Sequence, residues 1–432
     1  MRFVPPHLLK LFTLTTSTLH RCVLAAALIA CGPALAADTD GTSGASARPV
    51  VSFSGYGSFG LAHSNYRQAD FTSSILKSEG TGGTRSLAYN LDSRIGGQLD
   101  AAFGKHWSAV LQVVVEERYD GSYRPQVEWA NIKYQATPDL SLRLGRIALP
   151  IFLAADYRKV GYAYPWVRTP NEVYGGVPIS SSDGIDLTYR WRTGDIKHST
   201  QAFFGNNTIH LTDSTTSRAR GIAGITHTAE RGAATVRVSA FTATLNTDIV
   251  RSLFDRFRQF GPRGVAIAER YDVINKRTRG LSIGVNYDPG QWFVTAEGGA
   301  MRNDSFFGKT IGLYASAGYR RGDFTPYVLV SMTDAKSPRS DPGLPLAGLP
   351  PALAAVVVQL NAGLNTLLET RGSQENVGAG VRWDVRPNMA IKLQHERLKP
   401  GEGSRGTLIN LRPGFRSGTP VHVTSAVLDV VF

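Results

Sequence analysis

Outside the first forty residues the chain has His63, His106, His198, His210, His227, His395 and His422, and imidazoles are the first groups to test for chemistry near neutral pH. Hydrolysis would need a nucleophile or activated water, a base, and a group orienting that base, all within hydrogen-bond reach. Neither a nucleophile elbow nor a His-Glu-x-x-His zinc motif occurs. His395 and Glu396 are adjacent, yet on a strand they point to opposite faces. The glycine repeats lie within alternating segments, where they suit bends and close packing rather than a phosphate cradle. Cys22 and Cys31 are the only cysteines and both precede residue 36, so a chain cut there has no disulfide scaffold or thiolate metal site. No cofactor is implied.

What remains is fixed charge. Lys and Arg number 47 against 34 Asp and Glu, a formal net charge of +13, which suits nucleic acid, anionic lipid or anionic solutes. Arg94, Arg118, Lys133, Arg143, Arg190 and Arg192 fall on the polar faces of alternating segments, accompanied by Asp100, Glu116 and Asp186. Between them lies the stretch 148–183, long, aromatic and charged, with Asp156, Arg158, Glu172 and Asp183. Basic side chains facing those acids across water would set a transverse field that sorts ions by charge as well as size. The alternative is a set of solvated charges, each paired with a neighbour.

The amino-terminus argues for export. Arg2, Lys10 and Arg21 precede an apolar run over 23–30, too short for a span, which needs about 20 apolar residues. Ala34-Leu35-Ala36 follows as a cleavage pattern, so 1–36 reads as a cleaved signal peptide. Leu28-Ile29-Ala30-Cys31 offers a second reading, a lipoprotein box ending on Cys31. Residues 37–49, rich in Gly, Ser, Ala and Thr, read as a disordered mature amino-terminus. Export sets nucleic acid aside as a partner.

Downstream, no apolar run reaches helical membrane-spanning length. Segments of roughly ten residues alternate instead, the pattern of membrane-crossing strands. Ile95, Gly97, Leu99, Ala101 and Phe103 oppose Arg94, Gln98 and Asp100; Trp107, Ala109, Leu111, Val113 and Val115 oppose Ser108, Gln112 and Glu116. Tight turn sequences such as Gly104-Lys105-His106, Thr137-Pro138-Asp139 and Asp288-Pro289-Gly290 alternate with longer connections at about 65–85, 119–125, 148–183, 205–217, 245–278, 303–309, 333–373 and 398–419. Seven tight and eight longer connections predict an all-β, antiparallel, up-and-down barrel of about sixteen strands over 50–432. Helices are expected within two of the loops, at 249–275 and 351–369.

The last twelve residues, 421–432, place Phe432, Val430, Leu428 and Ala426 on one face and Asp429 and Ser425 on the other. This ending resembles the terminal strand of Gram-negative outer-membrane proteins, in which a final Phe after alternating apolar residues is the assembly signal. With the opening strand Ser54-Gly55-Tyr56-Gly57-Ser58-Phe59-Gly60 and the strand count, the mature chain resembles the general porins of Gram-negative outer membranes.

That resemblance implies an outer-membrane location, a water-filled channel for passive diffusion of small hydrophilic solutes and ions, and a homotrimer. It also implies contact with outer-membrane lipid and lipopolysaccharide, and delivery by the barrel assembly machinery. In that family the third outer loop, after the fifth strand, folds into the pore; here the strand is 140–146 and the loop 148–183. The family's acidic sequence for this loop is not evident, and the basic excess on the flanking strands leads us to expect an anion preference. Rival readings are an adhesin or binding barrel and a barrel enzyme such as a phospholipase.

Overall fold

The computed structural model describes residues 49–212 and 215–432; the expected leader, 1–36, and residues 37–48 lie outside them. The chain forms a closed barrel of sixteen antiparallel strands. In order these are β1 Val50–Ser64, β2 Arg94–Phe103, β3 Trp107–Glu116, β4 Gln126–Gln135, β5 Leu140–Ala148, β6 Ser181–Thr193, β7 Ile196–His210 and β8 Thr216–Arg231. There follow β9 Ala234–Thr247, β10 Lys276–Tyr287, β11 Trp292–Asn303, β12 Lys309–Tyr319, β13 Phe324–Ala335, β14 Gln374–Arg386, β15 Met389–Pro400 and β16 Val421–Val431. Each strand pairs with its chain neighbours. The ring closes at β1, whose first half pairs with β2 (Phe53↔Leu99) and whose second half pairs with β16 (Phe59↔Leu428).

Alternation places every side chain. Leu99 and Leu111, opposite one another across β2 and β3, are exposed on the outer wall, where lipid would cover them. Gln98 and Gln112 point inward: Gln112 Nε2 donates to Gln98 Oε1 at 2.8 Å, and Gln98 Nε2 to Asp100 Oδ2 at 2.8 Å. At the short-turn end, outward aromatics pair across strands or, for Tyr189 and Trp191, along β6. Trp107–Tyr134, Tyr189–Trp191, Tyr287–Trp292 and Phe324–Trp383 have centroids 4.7, 5.5, 5.2 and 5.7 Å apart, forming a belt of the kind found at a membrane interface. His198 stacks on Trp191 at 5.1 Å and belongs to this belt.

The opposite end carries the long connections. The loop before β2 contains short strands Asp70–Phe71, Thr81–Gly82 and Leu87–Ala88. After β5 comes a short helix, α1 Asn171–Tyr174; after β9 come α2 Arg251–Arg258 and α3 Gly261–Tyr271; after β13 comes α4 Pro351–Leu368. These last three pack together through Phe254, Phe257, Ala268, Val357, Leu360 and Leu364. The strands β7 and β8 run further than the turn residues suggest: their pairing continues to His210↔Thr216, inside the stretch 205–217 expected as a connection.

Candidate functional site

The segment 149–180 between β5 and β6 folds into the barrel and is bonded to inward side chains of most of the wall. Its own sequence supplies the reason. Leu149, Ile151, Phe152, Tyr164, Trp166, Val173 and Tyr174 bury against inward Phe203, Phe293, Tyr314, Tyr327 and Leu329, giving the lumen a hydrophobic core on the β7 to β13 side. Burying that backbone leaves polar groups needing partners, and the wall provides them. Thr226 Oγ1 donates to Pro150 O at 2.7 Å, Ser282 Oγ to Ile151 O at 2.7 Å, and Arg237 Nη1 to Phe152 O at 2.7 Å. The Leu153 N–H and the Tyr174 hydroxyl donate to the two carboxylate oxygens of Glu297 at 2.6 and 2.7 Å. Trp166 Nε1 donates to Ser316 Oγ at 2.7 Å, and the Val167 N–H to Gln394 Oε1 at 3.0 Å.

Two buried cations complete the docking. Lys392, fully buried beside Asp429 at 2.8 Å, donates to Gly161 O and Trp166 O at 2.7 and 2.9 Å. Gly161 sits against Ser58 and Asp429 so closely that a Cβ would collide with both, and Gly312 on β12 leaves the same kind of room for the Glu172 carbonyl. Arg168 reaches Asp92 through both Nε and Nη2, Ser425 through Nη2, and Glu396 through Nη1. Burial pushes the Asp92 carboxyl up, but the Arg168 charge and hydrogen bonds outweigh it and hold the group below the usual aspartate range.

Nearer the short turns, the inner faces of strands β4 to β9 leave open space. A cavity of about 830 Å³ lies between them and the loop, lined by Lys133, Arg143, Arg190, Arg192, Lys197 and Arg237, with Asp139, Asp156 and Glu230 as its acids. Of the charged residues singled out in the sequence, Lys133, Arg143, Arg190, Arg192 and Asp156 meet here. Arg143 Nε is tied to Asp186 Oδ2 at 2.8 Å.

The others go elsewhere. Arg94 is largely buried 4.0 Å from Glu116, and it is Glu116, bonded also by Lys159 of the loop, that stitches loop to wall. Arg118 lies past the end of β3 in an outer turn, its N–H bonded to Ser122 O at 2.9 Å. Arg158 closes the loop on itself, donating to Val177 O and Tyr174 O at 2.8 and 3.0 Å; burial holds its guanidinium below its ordinary value. Glu172 is buried rather than facing water, accepting from Ser331 Oγ and Gln374 Nε2 at 2.9 and 2.7 Å, and burial raises its carboxyl. Asp183 belongs to β6 and not to the loop. The Ser181-Ser182-Asp183 run pairs in register with the end of β5, and Asp183 meets Arg146 at 2.7 Å on the outer wall.

Sequence reasoning passes over Lys197, Arg237 and Lys392, and places Arg168 among the loop's charges without a role. The first two were within reach, since inward parity extended to β7 and β9 selects them. The importance of Arg168 and Lys392 comes from partners far along the chain, which no local pattern encodes.

A closed sixteen-stranded barrel, apolar outside, belted with aromatics and part-filled by its own loop, is an outer-membrane channel barrel. The chain belongs to the Gram-negative porin family, whose sequence profile matches residues 23–408, and its place is the outer membrane. Among solved structures, the outer-membrane channel DcaP of Acinetobacter baumannii is 9% identical, with a TM-score of 0.55 over 89% of this chain and 97% of that one. Salmonella typhi OmpF, in its complex with daunomycin, is 14% identical, with a TM-score of 0.52 over 88% and 97%. Vibrio cholerae OmpT is 9% identical, with a TM-score of 0.51 over 90% and 99%. At such identities the likeness is one of fold. No curated protein matches the sequence.

Proposed function

We propose that this porin is a passive diffusion channel for small hydrophilic solutes that favours anions over cations, with the loop 149–180 as its constriction. One observation supports the preference: in the cavity beside the loop, the cations Lys133, Arg143, Arg190, Arg192, Lys197 and Arg237 outnumber the acids Asp139, Asp156 and Glu230. Asp186 offsets Arg143, yet an excess persists. Two of the acids expected to oppose this wall take no part, since Glu172 is buried and Asp183 is on the outer wall beside Arg146. Fields at physiological salt fade beyond about 8 Å, so these near charges dominate over the total.

Transport here needs no catalytic step and no cofactor; His198 pairs with His227 and His395 with His422 on the outward faces of their strands. Homotrimeric assembly, contact with lipid and lipopolysaccharide, and delivery by the barrel assembly machinery complete the proposal. The test is a planar bilayer across a salt gradient. Stepwise conductance with a reversal potential on the anion side is expected, and Arg143, Arg190 and Arg192 changed together to Gln should move it toward cations. Conductance with an unmoved reversal potential would sink the assignment; absence of conductance would favour an adhesin or binding barrel.

A further inference from the structure

The outer wall carries one cross-strand arrangement of imidazoles twice. On β7, His198 and Thr200 share the outward face, and His227 of β8 stands directly opposite Thr200. On β16, His422 and Thr424 share a face in the same way, with His395 of β15 directly opposite Thr424. In each, one imidazole is bonded through Nδ1 to the threonine hydroxyl, at 2.8 Å for His227 and 2.9 Å for His395. Its Nε2 then faces Nδ1 of the second imidazole at 3.3 Å. A typical N–H hydrogen bond is shorter, about 2.9–3.0 Å. Two nitrogens each about 2.0–2.1 Å from one tetrahedral metal ion stand about 3.3–3.4 Å apart. The threonine supplies what a ligating histidine needs: with Nδ1–H donated to the hydroxyl, Nε2 keeps its lone pair and the ring keeps its orientation.

Charge separates the two pairs. Arg397 stands directly opposite His422, and a guanidinium there opposes a metal cation. Around the first pair the cross-strand neighbours are Trp191 and Ala229 for His198, Val238 for His227 and Tyr189 for Thr200, all uncharged. His198 lies just past the Gly194-Asp195 turn, so the pair is at the short-turn end, where the aromatic belt meets water. Among the described residues no third histidine, cysteine or carboxylate joins it, which leaves the other coordination positions to water.

We propose that His198 Nδ1 and His227 Nε2 chelate a divalent transition-metal ion, Zn²⁺ by the tetrahedral fit, with Thr200 as the positioning residue. The site is on the outer wall and is independent of what the lumen conducts.

Trp191 is a reporter already in place, its ring 5.1 Å from that of His198 and 5.4 Å from that of His227. Co²⁺, which occupies zinc sites and quenches nearby indole fluorescence, is titrated into the detergent-purified full chain, and Zn²⁺ is then added. Saturable quenching relieved by Zn²⁺ is expected, and Trp191→Phe should remove it. His198→Gln and His227→Gln should each raise the half-saturating Co²⁺ concentration at least ten-fold, and Thr200→Val about ten-fold. His395→Gln/His422→Gln should leave it unchanged. Unchanged half-saturation in either of the first two variants, or quenching that Zn²⁺ does not relieve, would overturn the site, as would loss of quenching in the His395→Gln/His422→Gln chain. That last chain also gives a reading with the site intact: one equivalent of Cu²⁺ should show two imidazole nitrogens by electron paramagnetic resonance, and one or none rejects the chelate.

Discussion

Arg168 and Asp92 form a two-pronged ion pair inside the barrel, with Nε on Oδ1 at 2.9 Å and Nη2 on Oδ2 at 2.7 Å, both side chains almost wholly buried. One residue belongs to the inserted loop and the other to the end of the first outer loop, so the pair joins two connections through the lumen. Arg168→Met leaves Asp92 and Glu396 buried without their cation, a loss of about 3–5 kcal/mol for a broken buried pair. The folded barrel should survive, since its strands do not depend on this pair, while the 149–180 segment becomes cleavable. Limited proteolysis of purified folded protein reads this directly, and wild-type resistance in the variant would show that the pair does not hold the loop. Adding Asp92→Asn and Glu396→Gln should restore part of the protection.

Glu172 makes loop docking sensitive to pH in the opposite sense from Asp92. Burial raises the Glu172 carboxyl, so its contribution is fully present below the ordinary glutamate value of about 4.3 and is lost as pH rises through the raised folded value. Asp92, held below its ordinary range by Arg168, contributes above about 3.9 and fails only as pH falls through its depressed value. Glu172→Gln keeps an acceptor for Gln374, and the Ser331 hydroxyl can turn to accept from the new amide. The variant should lose the alkaline-side weakening and keep the acid-side loss. Protease protection of the loop measured between pH 3 and pH 9 checks this, and a profile identical to wild type would mean that Glu172 is not the titrating group.

Faces, turns and strand number are legible in the chain because a strand repeats every two residues and its reversals use few residue types. Leu99 against Gln98, and Leu111 against Gln112, suffice to orient β2 and β3. Position within the lumen is another matter. Parity sends Arg94 and Arg143 inward alike, yet Arg94 meets Glu116 near the inserted loop and Arg143 looks onto open space, because the loop leans toward one wall. That lean follows from aromatic packing of Phe152, Trp166 and Tyr174 against residues far along the sequence. The polar run at 180–184 shows no alternation, so nothing local marks where the loop ends and β6 begins.

Phe432 follows the last strand, where Val430 and Leu428 face outward and Asp429 inward. Removing Phe432, or replacing it with a charged residue, should stop assembly into the outer membrane while export proceeds. Heat-modifiable barrel in outer-membrane fractions is the readout, with the exported total as reference. Normal amounts of folded barrel after the change would remove the terminal aromatic from any role in assembly.

Leu99 and Leu111 test the wall itself. They face each other across β2 and β3 midway along both strands, exposed outward, whereas Gln98 and Gln112 form an inward hydrogen-bonded chain ending on Asp100. Arg at either leucine places a charge among acyl chains, at a cost of roughly 2–4 kcal/mol if the residue lies near the bilayer midplane. Arg at Gln98 or Gln112 points to the lumen side, where the Asp100 carboxylate at the end of the hydrogen-bonded chain can receive it. Equilibrium denaturant unfolding in lipid vesicles should therefore separate the two faces, with large losses for the leucines and small ones for the glutamines. Equal losses on both faces would mean that the register of β2 and β3 is shifted by one residue, and every inward charge assigned on those strands would move to the lipid side.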